Sequence, residues 1–204
     1  MIYLYSGTPG SGKSLHTAEV LYWWIRQGRP AICNFEINLN MIKTSHEKKF
    51  YYKNNLEITP EYLMQFSKDY FGTGKIKESS ILLVIDECQL MFNAREWDKT
   101  GRAKWLSFFT QHRHFGYDII LVAQFDRMID RQIRSLIEYE FVHRKVTNYG
   151  WRGFLLCLVF LSPKLFVYVK MWYPLRQKMG SQFFRCRKKY YKIYDTFLLL
   201  DAPD

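Results

Sequence analysis

From residue 141 to residue 194 the sequence contains no aspartate and no glutamate, yet it carries twelve lysines and arginines. The rest of the chain holds 18 basic and 19 acidic residues, so the net charge of +11 comes from this one stretch. A neutral body with a basic C-terminal quarter implies a polyanionic partner, either nucleic acid or an anionic membrane surface. Long apolar runs are also missing. The longest, Phe154 to Leu161, has eight residues, against the roughly 20 that a membrane-spanning helix needs. No basic segment followed by an apolar one opens the chain, which argues against a signal peptide. The chain as it stands is therefore expected to be soluble or peripheral. Cysteine is sparse. Cys33, Cys88, Cys157 and Cys186 form no closely spaced pair, which excludes a knuckle-type metal site or a redox CxxC and leaves reduced thiols. Disorder is excluded in turn by 48% hydrophobic and 18% aromatic residues, enough for a real core in 204 residues.

The pattern along the chain is of strands alternating with helices. Ile2 to Tyr5 reads as a short buried strand, Lys13 to Gln27 as a helix stopped by Gly28 and Pro30, and Ala31 to Cys33 as a second strand. Residues 36 to 58 read as polar and irregular. Thr59-Pro60-Glu61 predicts a capped helix start, with the helix running to about Tyr70. Ile81 to Ile85 and Ile119 to Ala123 are unbroken aliphatic runs, expected to lie centrally in a parallel sheet; residues 101 to 115 read as a helix between them. After about residue 138 three strands are expected, Tyr139 to Val146, Phe154 to Leu161 and Leu165 to Trp172, joined by tight turns. The fold class expected is α/β, with a mostly parallel doubly wound sheet and a β-rich basic C-terminal extension. The division expected is a nucleotide-binding unit over 1–140 and the basic extension over 141–204, leading toward a membrane-proximal end.

Gly7-Thr8-Pro9-Gly10-Ser11-Gly12-Lys13-Ser14 fits the phosphate-binding loop GxxxxGK[ST] in full, with a strand before it and a helix after it. Glycines let the backbone turn its N–H groups onto phosphate, and the helix start adds its positive end. Gly7, Thr8, Pro9, Gly10, Ser11, Gly12, Lys13, Ser14 and Leu15 are therefore the expected contacts of ATP. Lys13 would sit against the β- and γ-phosphates, and Ser14 would help to hold Mg²⁺. Lys13 is expected to stand exposed in the loop and to add little to stability. Val84-Ile85-Asp86-Glu87 ends the first aliphatic run with two acids. Asp86 is the expected Mg²⁺-side carboxylate and Glu87 the group that activates water. Gln124, after the second run, is a candidate to contact the γ-phosphate or the water, although a solvent-facing loop glutamine explains it as well. Arg113 and Arg134 are the candidates for an arginine finger, acting in cis or from a neighbouring subunit. His112 and His114 are two apart, so on a helix they point to different sides and do not suggest zinc.

"YLYSGTPGSGKSLHTAEV", "LLVIDECQLMF" and above all "TQHRHFGYDIILVAQFDRMIDRQIRSLIEYEF", with "YKIYDTF" at 191–197, resemble the zonular occludens toxin (Zot) family, which includes the assembly ATPases of filamentous bacteriophages. The phosphate loop alone is generic; the QHRHFGYDII block is the more specific part. The resemblance implies the fold of a P-loop NTPase and an Mg²⁺-dependent ATPase in virion assembly and extrusion at the cytoplasmic side of the host inner membrane. It carries Lys13 and Ser14 over as nucleotide contacts and Asp86 with Glu87 as the Walker B pair. It also implies a transmembrane helix and a periplasmic tail, neither of which lies within these 204 residues. The expected partners are further copies of the chain, other phage assembly or secretion proteins, an anionic membrane surface, and single-stranded DNA or a phage DNA–protein complex. Two other readings stay open: a small-molecule kinase built on the same loop, and a DNA-binding module in which the nucleotide is structural.

Overall fold

A computed structural model describes residues 1–42, 44–45, 49–93, 99–162 and 164–194. The expected strands form where the aliphatic runs stand: β1 (Ile2–Ser6), β2 (Ala31–Cys33), β4 (Ile81–Ile85), β5 (Tyr117–Val122) and β6 (Tyr139–Lys145). A three-residue edge strand, β3 (Phe50–Tyr52), lies in the segment read as irregular. The strand β7 (Leu165–Trp172) is followed by β8 (Gln177–Arg185). All eight join in one sheet of order β3-β2-β4-β5-β1-β6-β7-β8. Every pair from β3 to β6 is parallel, and the last two are antiparallel.

Period-2 geometry explains why β4 shows no alternation in sequence. Ile81, Leu83 and Ile85 face one side and Leu82 and Val84 the other, and both sides are covered. The first side is roofed by α2 (Pro60–Phe71), α3 (Lys99–Gln111) and α4 (Arg131–Ser135), through Leu63, Trp105, Phe108 and Ile133. The second is roofed by α1 (Lys13–Arg26), through Ala18, Leu21 and Ile25, and by the short α6 (Lys188–Tyr191), through Tyr190. The start of α2 is capped as its sequence predicts: Tyr62 N–H donates to Thr59 Oγ1 at 3.1 Å, an interaction worth about 1 kcal/mol. The four cysteines are free thiols.

One expectation fails after residue 145, and one strand there carries no sequence signal. Phe154 to Leu161 is not a strand; Phe154 to Val159 lie in the helix α5 (Gly150–Val159), and Phe160 and Leu161 in the turn that ends it. A short apolar run carries no period that separates a buried strand from a helix. Leucines, which lose little freedom in a helix, outnumber the single β-branched Val159. Gly153 faces inward, where an added Cβ would stand 2.0 Å from the Val146 carbonyl, so the helix lies directly on that backbone. The strand β8 went unread because it is an edge strand, exposed on both faces along most of its length, and so has no alternation to show. The 140/141 boundary falls inside β6, which pairs with β1 on one side and β7 on the other.

Candidate nucleotide site

In a parallel sheet the loops after the strands gather at the carboxyl edge, and this is where the chemistry-bearing residues meet. The loop from Gly7 to Gly12 leaves β1 and turns through positive φ at Gly7 (141°), Gly10 (72°) and Gly12 (98°), values that side chains disfavour. Space adds to the demand. A Cβ on Gly7 would stand 2.5 Å from the His143 carbonyl oxygen, and one on Gly12 would stand 2.8 Å from the Phe166 ring. The resulting cradle fits a phosphate. The backbone N–H groups of Gly10, Gly12, Lys13, Ser14 and Leu15 donate to no other described protein group, and the Ser11 hydroxyl is buried without a partner. Unpaired N–H groups at a helix start together with the helix dipole form an anion site.

Lys13 departs from expectation. It is only 7% exposed, and its Nζ donates back to the carbonyls of Gly7 at 2.7 Å and Thr8 at 3.3 Å. Burial lowers its pKa, while Glu87 and Asp86 pull it up. A charged amine held among loop carbonyls, with two carboxylates near, is a cation stored beside the cradle.

The acids are held firmly. Asp86 follows β4 and is 6% exposed. Its N–H donates to Asn34 Oδ1 at 2.7 Å, and Asn34 Nδ2 returns a bond to the Asp86 carbonyl at 2.8 Å. This closed pair fixes the backbone at the end of β4 to the chain just after β2. One carboxylate oxygen takes the Glu87 N–H at 2.8 Å, and the other accepts the hydroxyl of Tyr194. Burial raises the Asp86 pKa and the two hydrogen bonds oppose it. Glu87 adopts a left-handed backbone (φ 46°), which turns its side chain out of the strand direction, and one of its oxygens accepts from Gln89. Ser14 and Asp86 could hold a divalent cation, one hydroxyl and one carboxylate being the sparse protein share expected for Mg²⁺ on a triphosphate. Among the described residues, no group of three acids, histidines or cysteines forms an all-protein cage.

The strand order seats the third element. Because β5 lies between β1 and β4, Gln124 emerges between the loop and the acid pair, and its carbonyl accepts the Gly7 N–H at 3.1 Å. A cavity of about 440 Å³ opens beside the loop, bounded among others by Thr8, Gln124, Phe125, Arg144 and Tyr149. The arginines are not gathered here. Arg113 pairs with Glu138 at 2.8 Å, beside the amino ends of β5 and β6. The six residues of β5, about 20 Å of strand, separate Arg113 from the loop of its own chain, so it supplies no finger in cis. Arg134 stands on α4; burial raises the nearby Asp126 carboxyl, but hydrogen bonds from Arg176 and Tyr173 outweigh it and Arg134 adds a smaller downward pull, and the Arg134 Nε has no acceptor among the described residues. Neither arginine contacts the loop, Asp86 or Glu87 within the described residues.

Under the loop lies a feature the sequence did not signal. His16 Nδ1 and His143 Nε2 are 2.8 Å apart, and His143 Nδ1 faces the Ser6 carbonyl at 3.2 Å. His143 therefore donates to Ser6 from Nδ1, and its bare Nε2 accepts from His16. The pair is walled by Tyr5, Phe141, Tyr168 and Phe184. Burial pushes His143 down to about 4 and His16 well below its ordinary value, the charge of the neighbouring His143 adding to the effect on His16. Both folded pKa values lie under the unfolded value of about 6.5. This stability is complete above pH 6.5 and is lost as pH falls toward 4, by up to about 1.4 kcal/mol per histidine per pH unit. The melting temperature should therefore drop between pH 7 and 5, and the slope should flatten in His143→Gln. Parallel slopes for the two proteins would remove the pair from the account.

A family model described as Zonular occludens toxin (Zot) matches residues 1–197. The chain belongs to the Zot family. Within this family reading, the Gene 1 protein of Enterobacteria phage M13 is 28% identical over 152 residues, which cover 70% of this chain and 41% of that protein. The chain thus spans about two fifths of the length of the curated relatives it matches. Among solved structures, the N-terminal domain of zonular occludens toxin from Neisseria meningitidis aligns with TM-score 0.56 at 17% identity, over 95% of this chain and 98% of that one. The genome packaging NTPase B204 of Sulfolobus turreted icosahedral virus 2, solved with ATP-gammaS, aligns with TM-score 0.53 at 16% identity, over 90% and 96%. These likenesses are of fold, that of a P-loop NTPase. The Tyr194 contact to Asp86 and the Asn34 clamp were out of reach of sequence reading, since each joins residues far apart in the chain. The one hint was the family-like YKIYDTF segment, which contains Tyr194.

Proposed function

We propose that this chain is the ATP-hydrolysing part of a phage assembly and extrusion machine at the cytoplasmic face of the host inner membrane. The observation that carries the reading is the convergence of five unpartnered loop amides and the stored Lys13 cation with Asp86 and Glu87 across β5. In this reading the amides of Gly10 to Leu15 hold the phosphates, with Thr8 and Pro9 shaping the turn, and Lys13 exchanges its loop carbonyls for β- and γ-phosphate oxygens. Ser14 and Asp86 hold Mg²⁺, which neutralises phosphate charge when bound. Glu87 takes the proton of the attacking water as its oxygen bonds to the γ-phosphorus. The bond to the bridging oxygen breaks and ADP carries away the electron pair. Gln124 orients the water or the γ-phosphate. The arginine finger is Arg113 of a neighbouring copy, or Arg134 acting in cis or from a neighbouring copy. The polymer moved is single-stranded DNA or a DNA–protein complex, handed on by other assembly or secretion proteins.

Phosphate release from ATP, followed with and without added single-stranded DNA and with no other acceptor, tests this. Turnover on ATP alone, raised by DNA, is the expected result. A requirement for a small acceptor would make the protein a kinase, and binding without turnover would make it a nucleotide-dependent binding module.

A further inference from the structure

The helix α5 is apolar on nearly every side, yet only a narrow edge is covered. Gly153 and Cys157 face the small core of Val146, Leu165 and Val167. The opposite side presents Trp151 (69% exposed), Phe154 (67%), Leu155 (46%), Leu158 (61%) and Val159 (76%), and Leu161 just beyond is 88% exposed. Residues 151, 154, 155 and 158 follow i, i+3, i+4, i+7 spacing and form one stripe. A contiguous exposed patch of this kind marks an interaction surface. Its border is basic. Arg152 lies against the Trp151 ring, Arg144 donates to the Tyr149 hydroxyl at 3.4 Å, and Arg185 lies over Phe160. No acidic residue occurs from 141 to 194.

We propose that α5 docks on an anionic lipid bilayer, its stripe entering the headgroup boundary while the surrounding arginines and lysines meet lipid phosphates. An interfacial helix combines a large apolar face carrying Trp, Phe and Leu with cationic neighbours. The composition decides among partners. A nucleic-acid backbone offers phosphate for the arginines but no apolar phase for Leu155, Leu158 and Val159. A second copy meeting face to face would bring like charges together. An anionic bilayer satisfies both halves of the surface. Docking rests on the membrane location proposed above and names a contact within these residues that makes it. The helix follows β6, so it lies at the same sheet edge as the phosphate loop, and Tyr149 just before it borders the cavity beside Thr8.

The test is co-sedimentation of this chain with vesicles of phosphatidylcholine alone and of phosphatidylcholine with phosphatidylglycerol, without nucleotide. The wild type should sediment with the anionic vesicles and be released by salt. Its tryptophan emission should shift to the blue on binding, and Trp151→Phe should lose most of that shift. The double variant Phe154→Glu/Leu158→Glu places acids at exposed positions, so it should fold. It should bind at least about a hundredfold more weakly, two apolar anchors being lost. Arg152→Gln should cost about fivefold, the share of one surface charge. Phosphate release by the double variant in vesicle-free solution should equal that of the wild type, which keeps this proposal separate from the hydrolysis reading. Equal vesicle binding by wild type and double variant would overturn it. So would wild-type self-association that the double variant abolishes, without vesicle binding, which would give the face to a second copy.

Discussion

Replacing Lys13 with alanine is expected to abolish measurable ATP hydrolysis, by on the order of a hundredfold or more, the cost of removing one pre-placed charge from a phosphoryl-transfer site. The geometry sharpens the expectation for stability. Exposure would have made the residue irrelevant to folding, but Lys13 is buried and bonded to Gly7 and Thr8. Its removal loses charge-assisted bonds of about 1.5–3 kcal/mol each. It also relieves the burial of a charge, a penalty of several kcal/mol. The two oppose each other, so the variant should melt close to the wild type. Phosphate release and a thermal melt on the same preparation read both quantities. Wild-type turnover in the variant would remove the phosphate-loop assignment, and a collapsed melt would show that the lysine is a structural plug.

Glu87→Gln should keep nucleotide affinity within a few fold and lose hydrolysis by on the order of a hundredfold or more, since only the water-activating carboxylate is neutralised. The variant is nearly isosteric. The Glu87 backbone, held by its N–H to Asp86, is unaffected, and the glutamine oxygen can still accept from Gln89. Asp86→Asn should differ in kind. It perturbs the carboxylate that accepts both the Glu87 N–H and the Tyr194 hydroxyl, so it should weaken magnesium-dependent binding as well as turnover. Isothermal titration of an ATP analogue with single-turnover phosphate release separates the two. If both variants turned over normally, the end of β4 would be purely structural and the kinase reading would regain ground.

How far the sequence could be read depended on whether the information was local. The phosphate loop is contiguous and sits between a strand and a helix, so its residues and its fold context were legible together. The runs at 81–85 and 119–123 announced buried central strands because both faces of each are covered. The failures lie where that signal is weak. Phe154–Leu161 is apolar without a period, and an apolar run is read as buried by default; here it is a helix with most of its surface exposed. The strand β8 has neither face buried along most of its length, so it left no pattern. The burial of Lys13 reflects how the loop folds back on its own carbonyls, and the His16–His143 pair and the Tyr194–Asp86 bond join residues more than a hundred positions apart. Spacing encodes none of these. The arginines show the same limit from the other side: clustering near β5 in sequence did not bring Arg113 to the carboxyl edge.

The amides of the Gly7–Ser14 loop and its helix start are expected to hold a triphosphate. Backbone ¹⁵N–¹H spectra of the chain, recorded while ATP-gammaS and magnesium are added, test it most directly. The resonances of Gly10, Gly12, Lys13, Ser14 and Leu15 are predicted to shift together and saturate at one nucleotide per chain, while those of Trp151 to Leu158 stay in place. Saturating nucleotide that leaves the five loop amides unmoved would contradict the account.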